Sequence, residues 1–452
     1  MSDVRKLMQL LKDGISAFHV CRAAEERLRA EGFSEIVLSE PWKLVPGGKY
    51  MVRVFDSTLF AFTVSGEGKT GQAPELRMAS AHTDWPCLKI KPNPEFPGGP
   101  YARLNAEVYG GPVYSTWMDR PLGISGRVFI RGRDAFHPEE RLFDSGEPVL
   151  IIPNLAIHMN REVNKGVELN PQTDLIPIAG MVPSAEAGGA GRDGADAPEA
   201  GAAKGRWFVR YLAEMLDAAE EDILDFELWV YNPEEPEIIG LYGDLLSSPR
   251  LDNLTSVEAC LEGIAASGDH ASRDGGLRIN AVALYDNEEI GSRTKQGALS
   301  EVTSRILEKI CLSLGLGREE YFDMLSSGFM ISMDVAHAVH PGHPEKCDPV
   351  NRIPMGAGVA LKLSSSQSYA TDARAVSIIE GLLKKNGIAY AKFSNRSDMR
   401  GGSTLGALSS AKLGMLTADV GAPILAMHSA RELMCVRDQE ALNSLAGAYF
   451  TD

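Results

Sequence analysis

No run of apolar residues in these 452 positions approaches the length needed to cross a bilayer, so no membrane association is expected. The first dozen residues carry charges throughout and lack the apolar stretch of a secretion signal. No two cysteines stand in C-x-x-C spacing; Cys21, Cys87, Cys260, Cys311, Cys347 and Cys435 are scattered. In a chain this long they are expected to be reduced and mostly buried, as in a cytoplasmic protein. Basic residues are outnumbered, 45 Lys and Arg against 61 Asp and Glu, for a net charge of −16. That balance argues against nucleic-acid binding, which calls for a basic face, and suits a well-dispersed protein. The Gly-rich stretch Ser397–Gly406 lacks the lysine and spacing of a phosphate-binding loop, so nucleotide binding is not expected either.

What is present centres on one stretch. Leu277 to Tyr285 reads as a buried strand, mostly apolar, with β-branched residues and no Pro or Gly. Two adjacent carboxylates, Glu288 and Glu289, follow it directly, and then Gly291. Neighbouring side chains in extended chain point to opposite sides. One acid is then free to bind a metal while the other handles a proton. Taken alone, the string reads first as a solvated acidic turn.

The rest of the chain supplies the company. Val4 to Ala30 reads as helix broken near Gly14, with Ser16 as N-cap and Gly32 as its stop. Strands over 50–64 and 73–81 lead to His82-Thr-Asp84, two positions apart and so on one face. A metal-bound imidazole needs such a carboxylate to fix its tautomer. After Lys91 the texture turns rich in Pro and Gly and then in short β segments. An inserted β-rich domain is expected over 95–245, between two parts of one domain at 1–94 and 246–452. Its Ala/Gly/Asp tract 184–205 is too poor in apolar residues to order itself.

Asp252 precedes a helix over 255–266, where an N-cap is the default role. Phe329–Met333 reads as a strand ending at Asp334, followed by a stiff loop from His337 to Pro349. A strand over 414–420 precedes His428. Strand and helix alternate, which predicts an α/β fold with a mainly parallel central sheet flanked by helices. Ligands in such folds gather at the carboxyl ends of strands. His82, Glu288, Glu289, Asp334 and His428 all fall at or just past predicted strand ends. Two imidazoles with several carboxylates suit Zn²⁺ or a similar divalent ion, and there are more donors than one ion needs. Two ions sharing one Asp, with a spare carboxylate as general base, form a set that hydrolyses amides.

Five motifs, S-A-H-T-D-x-P, P-R-L-D-N-L, D-N-E-E-I-G-S, S-M-D-x-A-H-A-x-H-P and A-M-H-S-x-R-E, closely resemble those of the aspartyl aminopeptidases. These are co-catalytic zinc exopeptidases that remove N-terminal, typically acidic, residues from peptides. The likeness runs from G-I-S-A-F-H to the end of the chain. It implies two Zn²⁺ per subunit, or another divalent ion such as Mn²⁺ or Co²⁺. His82 and Asp334 would hold one, Glu289 and His428 the other, with Asp252 bridging. Glu288 would be the base and Asp84 would orient His82. His158, in Leu155-Ala-Ile-His158, would stabilise the oxyanion from a neighbouring subunit. Lys362, Tyr369, Asp398, Met399 and Gly402 resemble substrate contacts; His337 stands nearby without an assigned role. The resemblance also implies a dodecamer built from dimers, with the inserted domain as the dimerisation element.

Trp85, the S-S-S-Q-S string before Tyr369 and Arg400-Gly401 depart from the family pattern. They bear on the side-chain pocket and leave the metal chemistry alone. Lys362 and Arg400 are the cations available to pair with a substrate carboxylate. The alternatives are a broader aminopeptidase or a deacylase with the same binuclear site, and a metal-stabilised assembly protein without turnover. Glu288 argues against the last, because a structural site needs no general base.

Overall fold

The computed structural model describes residues 2–67, 72–96, 99–181, 206–268, 275–399 and 401–452. The tract 184–205 and Arg400 lie outside them. The chain forms two compact units, Met1–Trp85 with Glu235–Asp452, and Pro86–Glu234. Both divisions fall earlier than the 95–245 insert read from composition, and strand pairing is the reason. Cys87–Phe96 pairs with Tyr101–Tyr109 and Ile223–Tyr231, all of the second unit. Glu237–Ile239 and Leu245–Ser248 pair with each other, and the latter with Glu432–Cys435 of the first.

The first unit is built on a nine-stranded sheet. Its order is Ser34–Glu35, Lys49–Val54, Thr58–Ser65, Arg278–Tyr285, Glu75–His82, Phe329–Met333, Leu416–Gly421, Val359–Lys362 and Tyr390–Phe393. From Arg278–Tyr285 to Leu416–Gly421 the strands are mutually parallel. Antiparallel pairings flank them, including Lys49–Val54 with Thr58–Ser65 and Val359–Lys362 with Leu416–Gly421. Five of its eight pairings are parallel, so the sheet is mainly parallel, with three antiparallel pairings outside its centre. Three residues join Lys49–Val54 to Thr58–Ser65. A link that short permits only a hairpin, whereas parallel neighbours need a crossover.

Every residue of Arg278–Tyr285 and of Thr58–Ser65 is buried, as a sheet covered on both faces requires. Ile279 and Tyr285 face a cluster closed by Ile306, Met324 and Leu405, from the helices Val302–Ser313, Arg318–Ser327 and Leu405–Leu413. On the alternate face Asn280 Nδ2 reaches Phe450 O at 3.4 Å, in the helix Val436–Thr451. That helix packs with Leu251–Ala266 and Ser2–Asp13. Ser16 caps Ala17–Ala30, its hydroxyl accepting from His19 N, and Gly32 follows the helix end with φ of 86°. A five-stranded sheet, ordered Glu237–Ile239, Leu245–Ser248, Glu432–Cys435, Pro423–Leu425 and Ala336–His337, completes this unit.

In the second unit six strands close into an antiparallel ring. Ile223–Tyr231, Cys87–Phe96, Tyr101–Tyr109, Ile178–Met181, Leu150–Ile151 and Pro121–Asp134 pair in turn, and the last pairs back to the first. Leu88 and Ile90, Leu104 and Ala106, Leu228 and Val230 are buried at alternate positions, the period of a filled small barrel. Among the described residues no helix is long and apolar enough to cross a membrane.

Candidate metal centre

Three parallel neighbours deliver their carboxyl ends to one edge. His82 is the last residue of Glu75–His82 and pairs in register with Tyr285. Asp334 follows Met333 directly, and a Cβ at Gly421 would lie 1.8 Å from its carbonyl oxygen, so only glycine lets the two strand ends meet. Asn287 turns the chain after Tyr285 with φ of 64°, and Glu288–Ile290 forms a 3-10 turn. This corrects one expectation: the two glutamates are not divided by extended-chain alternation. Their backbones are pinned instead, Glu288 N donating to Asp84 Oδ1 and Glu289 N to Asp84 Oδ2, both at 3.1 Å. His428 is also placed differently, since it follows Pro423–Leu425 of the smaller sheet. Asp252 lies in the first turn of Leu251–Ala266 with non-helical backbone angles, and its side chain does not cap the helix.

The side chains converge. His82 Nε2 is 3.3 Å from Asp252 Oδ1 and 3.5 Å from Asp334 Oδ1. His428 Nε2 is 3.3 Å from Asp252 Oδ2 and 3.6 Å from Glu289 Oε2. Two donor triads therefore share Asp252 through separate oxygens. A third grouping joins His82, Glu288 and Glu289, their ligand atoms within 4.8 Å of one another. His82 Nδ1 lies 3.0 Å from Asp84 O and 3.4 Å from Asp84 Oδ1. Donation to that carbonyl leaves the Nε2 lone pair facing Asp252 and Asp334. Donors bonded to one tetrahedral Zn²⁺ at about 2.1 Å sit about 3.4 Å apart, so both triads fit such an ion. Asp252 Oδ1 is buried, and no donor meets it in hydrogen-bond geometry. A cation would satisfy it.

Crowding of acids shapes the electrostatics. Burial, with Asp334, Asp84 and Asp252 close by, pushes Glu288 up to about 8. Burial and Asp252 likewise push Glu289 well above the carboxylate range. Burial opposes ionisation of Asp252, yet the His428 and His82 imidazoles beside it hold it below that range. Asp286, buried beside Asp84, is raised to about 7. Glu288 and Asp286 thus bind protons more tightly folded than unfolded. The stability they contribute is present at low pH and is lost as pH climbs through about 7 and about 8. Chelator-treated protein should therefore show a Tm that falls from pH 6 to pH 8. Added Zn²⁺ should restore Tm more at the higher pH, because ionised carboxylates bind it better. A flat Tm, or larger rescue at pH 6, would contradict this electrostatic account.

A cavity of about 570 Å³ opens on the cluster and is lined by Arg293, His337, Lys362, Tyr369 and Gly402 among others. Lys362 is 1% exposed; its Nζ lies 3.4 Å from Asp334 Oδ2 and donates to Val335 O at 3.1 Å. It also stands 5.1 Å over the Tyr369 ring. Met399 lines a neighbouring cavity that shares His337, Gly402 and His428 with the first. Asp398 is not brought to either: it is 65% exposed and paired with Arg396 at 2.6 Å. His158 lies in an exposed turn of the second unit. Trp85 is buried 5.5 Å from the Arg250 guanidinium and lines neither cavity. Two residues escaped the sequence reading. Arg293 lies in the cavity wall. Glu432 lies buried behind the ligands, and its only trace in sequence is an acid four positions after His428.

Two imidazoles and several carboxylates that converge at one edge of a parallel sheet are the donor set of a metal-dependent hydrolase. The chain matches the Aminopeptidase I zinc metalloprotease (M18) family over residues 10–450 and belongs to it. A probable M18 family aminopeptidase 2 of Clostridium novyi (strain NT) is 42% identical over 434 residues, covering 96% of this chain and 95% of that protein. A chain of the Ape4 and Nbr1 cryo-EM complex superposes with a TM-score of 0.90 at 28% identity, covering 99% of this chain and 85% of that one. The S. cerevisiae mApe1 dodecamer shares the fold, with a TM-score of 0.81 at 23% identity, covering 99% and 95%. The protein is thus a zinc aminopeptidase, which sets aside both the deacylase and the assembly-protein alternatives.

Proposed function

We propose that this aminopeptidase removes N-terminal acidic residues, Asp or Glu, from peptides, with Asp252 standing between two sites that would each hold a divalent cation. The observation that carries the reading is the division of the Asp252 carboxylate, with Oδ1 toward His82 and Oδ2 toward His428. His82 and Asp334 complete one site, Glu289 and His428 the other. Such a pair of ions, when bound, acidifies the attacking water and stabilises the oxyanion. Glu288 takes the proton from that water and hands it to the departing amine. Asp84 holds His82 and the backbones of both glutamates, so one residue fixes the base relative to the ligands.

The acidic preference needs a local cation in a chain of net charge −16. Lys362 already faces Asp334 and Val335 O, so it positions Asp334 more than it greets substrate. Arg293 lines the same cavity, and among the described residues it has no ionic partner. We assign it the substrate carboxylate. His158 serves the oxyanion from a neighbouring copy, in a homo-oligomer built from dimers through the second unit and closing at twelve subunits. Leu155, Ile157 and Met159 around it are 55%, 51% and 76% exposed, an apolar strip that a subunit contact would cover. Six free cysteines fit a reducing, cytoplasmic setting.

A panel of aminoacyl amides with Asp, Glu, Leu and Lys at the N-terminus tests the specificity. Asp and Glu substrates should lead in kcat/KM, and Arg293→Ala should cut the Asp-over-Leu ratio by about tenfold, the effect of one close charge pair. Equal turnover across the wild-type panel would replace acidic preference with broad specificity. An unchanged ratio in the variant would remove Arg293 from the pocket.

A further inference from the structure

We infer that Glu432 is a positioning residue that sets the spacing of the two cation sites by clamping the Asp252 and His428 backbones together. The inference rests on the two-cation reading above. Glu432 lies outside every group of ligand atoms that the cluster forms. Its carboxylate instead spans two segments far apart in sequence. Oε2 accepts the Asp252 N–H at 2.9 Å, and Oε1 accepts the His428 N–H at 2.8 Å. Glu432 is 3% exposed, so water does not compete for either bond. Strand register fixes where it stands: Glu432 opens Glu432–Cys435 opposite Ser248, the last residue of the strand that leads to Asp252.

Both clamped residues have backbones that need holding. His428 has φ of 66°, and Ala426 nearby has 58°. For residues with a Cβ this left-handed region is disfavoured by contact between the Cβ and the following carbonyl oxygen. Asp252 has ψ of 105° inside what is otherwise the first turn of a helix. A single carboxylate that accepts from both N–H groups holds both departures at once and fixes the distance between them. That distance decides whether Oδ1 and Oδ2 of Asp252 face separate ligand sets. Glutamine cannot substitute, because its amide offers one acceptor and turns an NH₂ toward the second N–H. Aspartate keeps two acceptors but is one methylene too short to reach both.

The test is cation binding by the full-length chain, measured by calorimetry and by metal content after dialysis with Zn²⁺. Wild type should retain two ions. Glu432→Gln and Glu432→Asp should each lose one, or bind it at least about tenfold more weakly, as expected when support behind a ligand is removed. With Co²⁺ in place of Zn²⁺, the visible spectrum of the variants should change in step. Glu258→Gln controls for a merely structural loss: Glu258 is a buried acid paired with Arg27. It should lower Tm and leave two ions bound. In cation-free wild type, the Asp252 and His428 amides should also resist hydrogen exchange, a readout that needs no variant. Two ions at wild-type affinity in both Glu432 variants, or free exchange of those amides, overturns the inference while leaving the two-cation reading intact. Fewer than two ions in wild type overturns that reading, and the clamp falls with it.

Discussion

Glu288→Gln leaves the cation content at the wild-type level and lowers kcat by about 10²–10⁴, the usual worth of a positioned proton carrier. The change removes a proton acceptor and almost no volume. The proposed ligands His82, Asp252, Glu289, Asp334 and His428 keep their places, since Glu288 is tied to Asp84 by its backbone and not by its carboxylate. KM should move little, because binding of the peptide does not depend on that proton. Metal content by mass spectrometry and a kcat measurement decide the matter. Retained activity would remove Glu288 from its role as base, and lost metal would make it a ligand. The burial that raises Glu288 to about 8 in the cation-free site also explains why it can serve.

Asp252→Asn empties the centre. Both triads use this carboxylate, one through each oxygen. Asparagine keeps a single oxygen and no charge. Zinc binding worth about 10–16 kcal/mol over four donors gives roughly 3 kcal/mol per donor, or about a hundredfold in affinity. The loss applies to both ions at once, so the variant should retain neither after dialysis and show no turnover at ordinary Zn²⁺ concentrations. Loss of one ion alone would mean that Asp252 is terminal rather than shared. Retention of two would undo the bridging assignment.

Much of this centre was legible before any coordinates. Phe329–Met333 was read with the bounds it has in the fold, and Arg278–Tyr285 within one residue. Both are short, mostly apolar runs without Pro or Gly, the pattern of a strand buried on both faces. Ser16 and Gly32 were read as helix signals because caps are local chemistry. The helices Arg318–Ser327 and Val436–Thr451 were not marked. The first buries only Tyr321, Met324 and Leu325, a narrow apolar stripe, and the second is buried around much of its circumference, so neither shows a balanced amphipathic pattern. The insert's strands were read as short and separate. Nothing local says that six of them close into a ring, because closure depends on pairing between residues far apart in sequence.

The sequence alone determined which chemistry was available: two histidines and a set of acids at strand exits, with one acid to spare. It determined this because donor type and strand periodicity are properties of neighbouring residues. Only the tertiary structure decided the partnerships. Sheet register put His82 beside Tyr285 and Asp334 beside Gly421. A left-handed Asn287 turned both glutamates into a 3-10 turn against Asp84. Lys362, read as a substrate contact, lines the cavity and is also held to Asp334. Glu432 gained its place only when a strand 180 residues from Asp252 came to lie against it. Such distances are set by how strands pair and helices cover them, and no stretch of chain contains that information by itself.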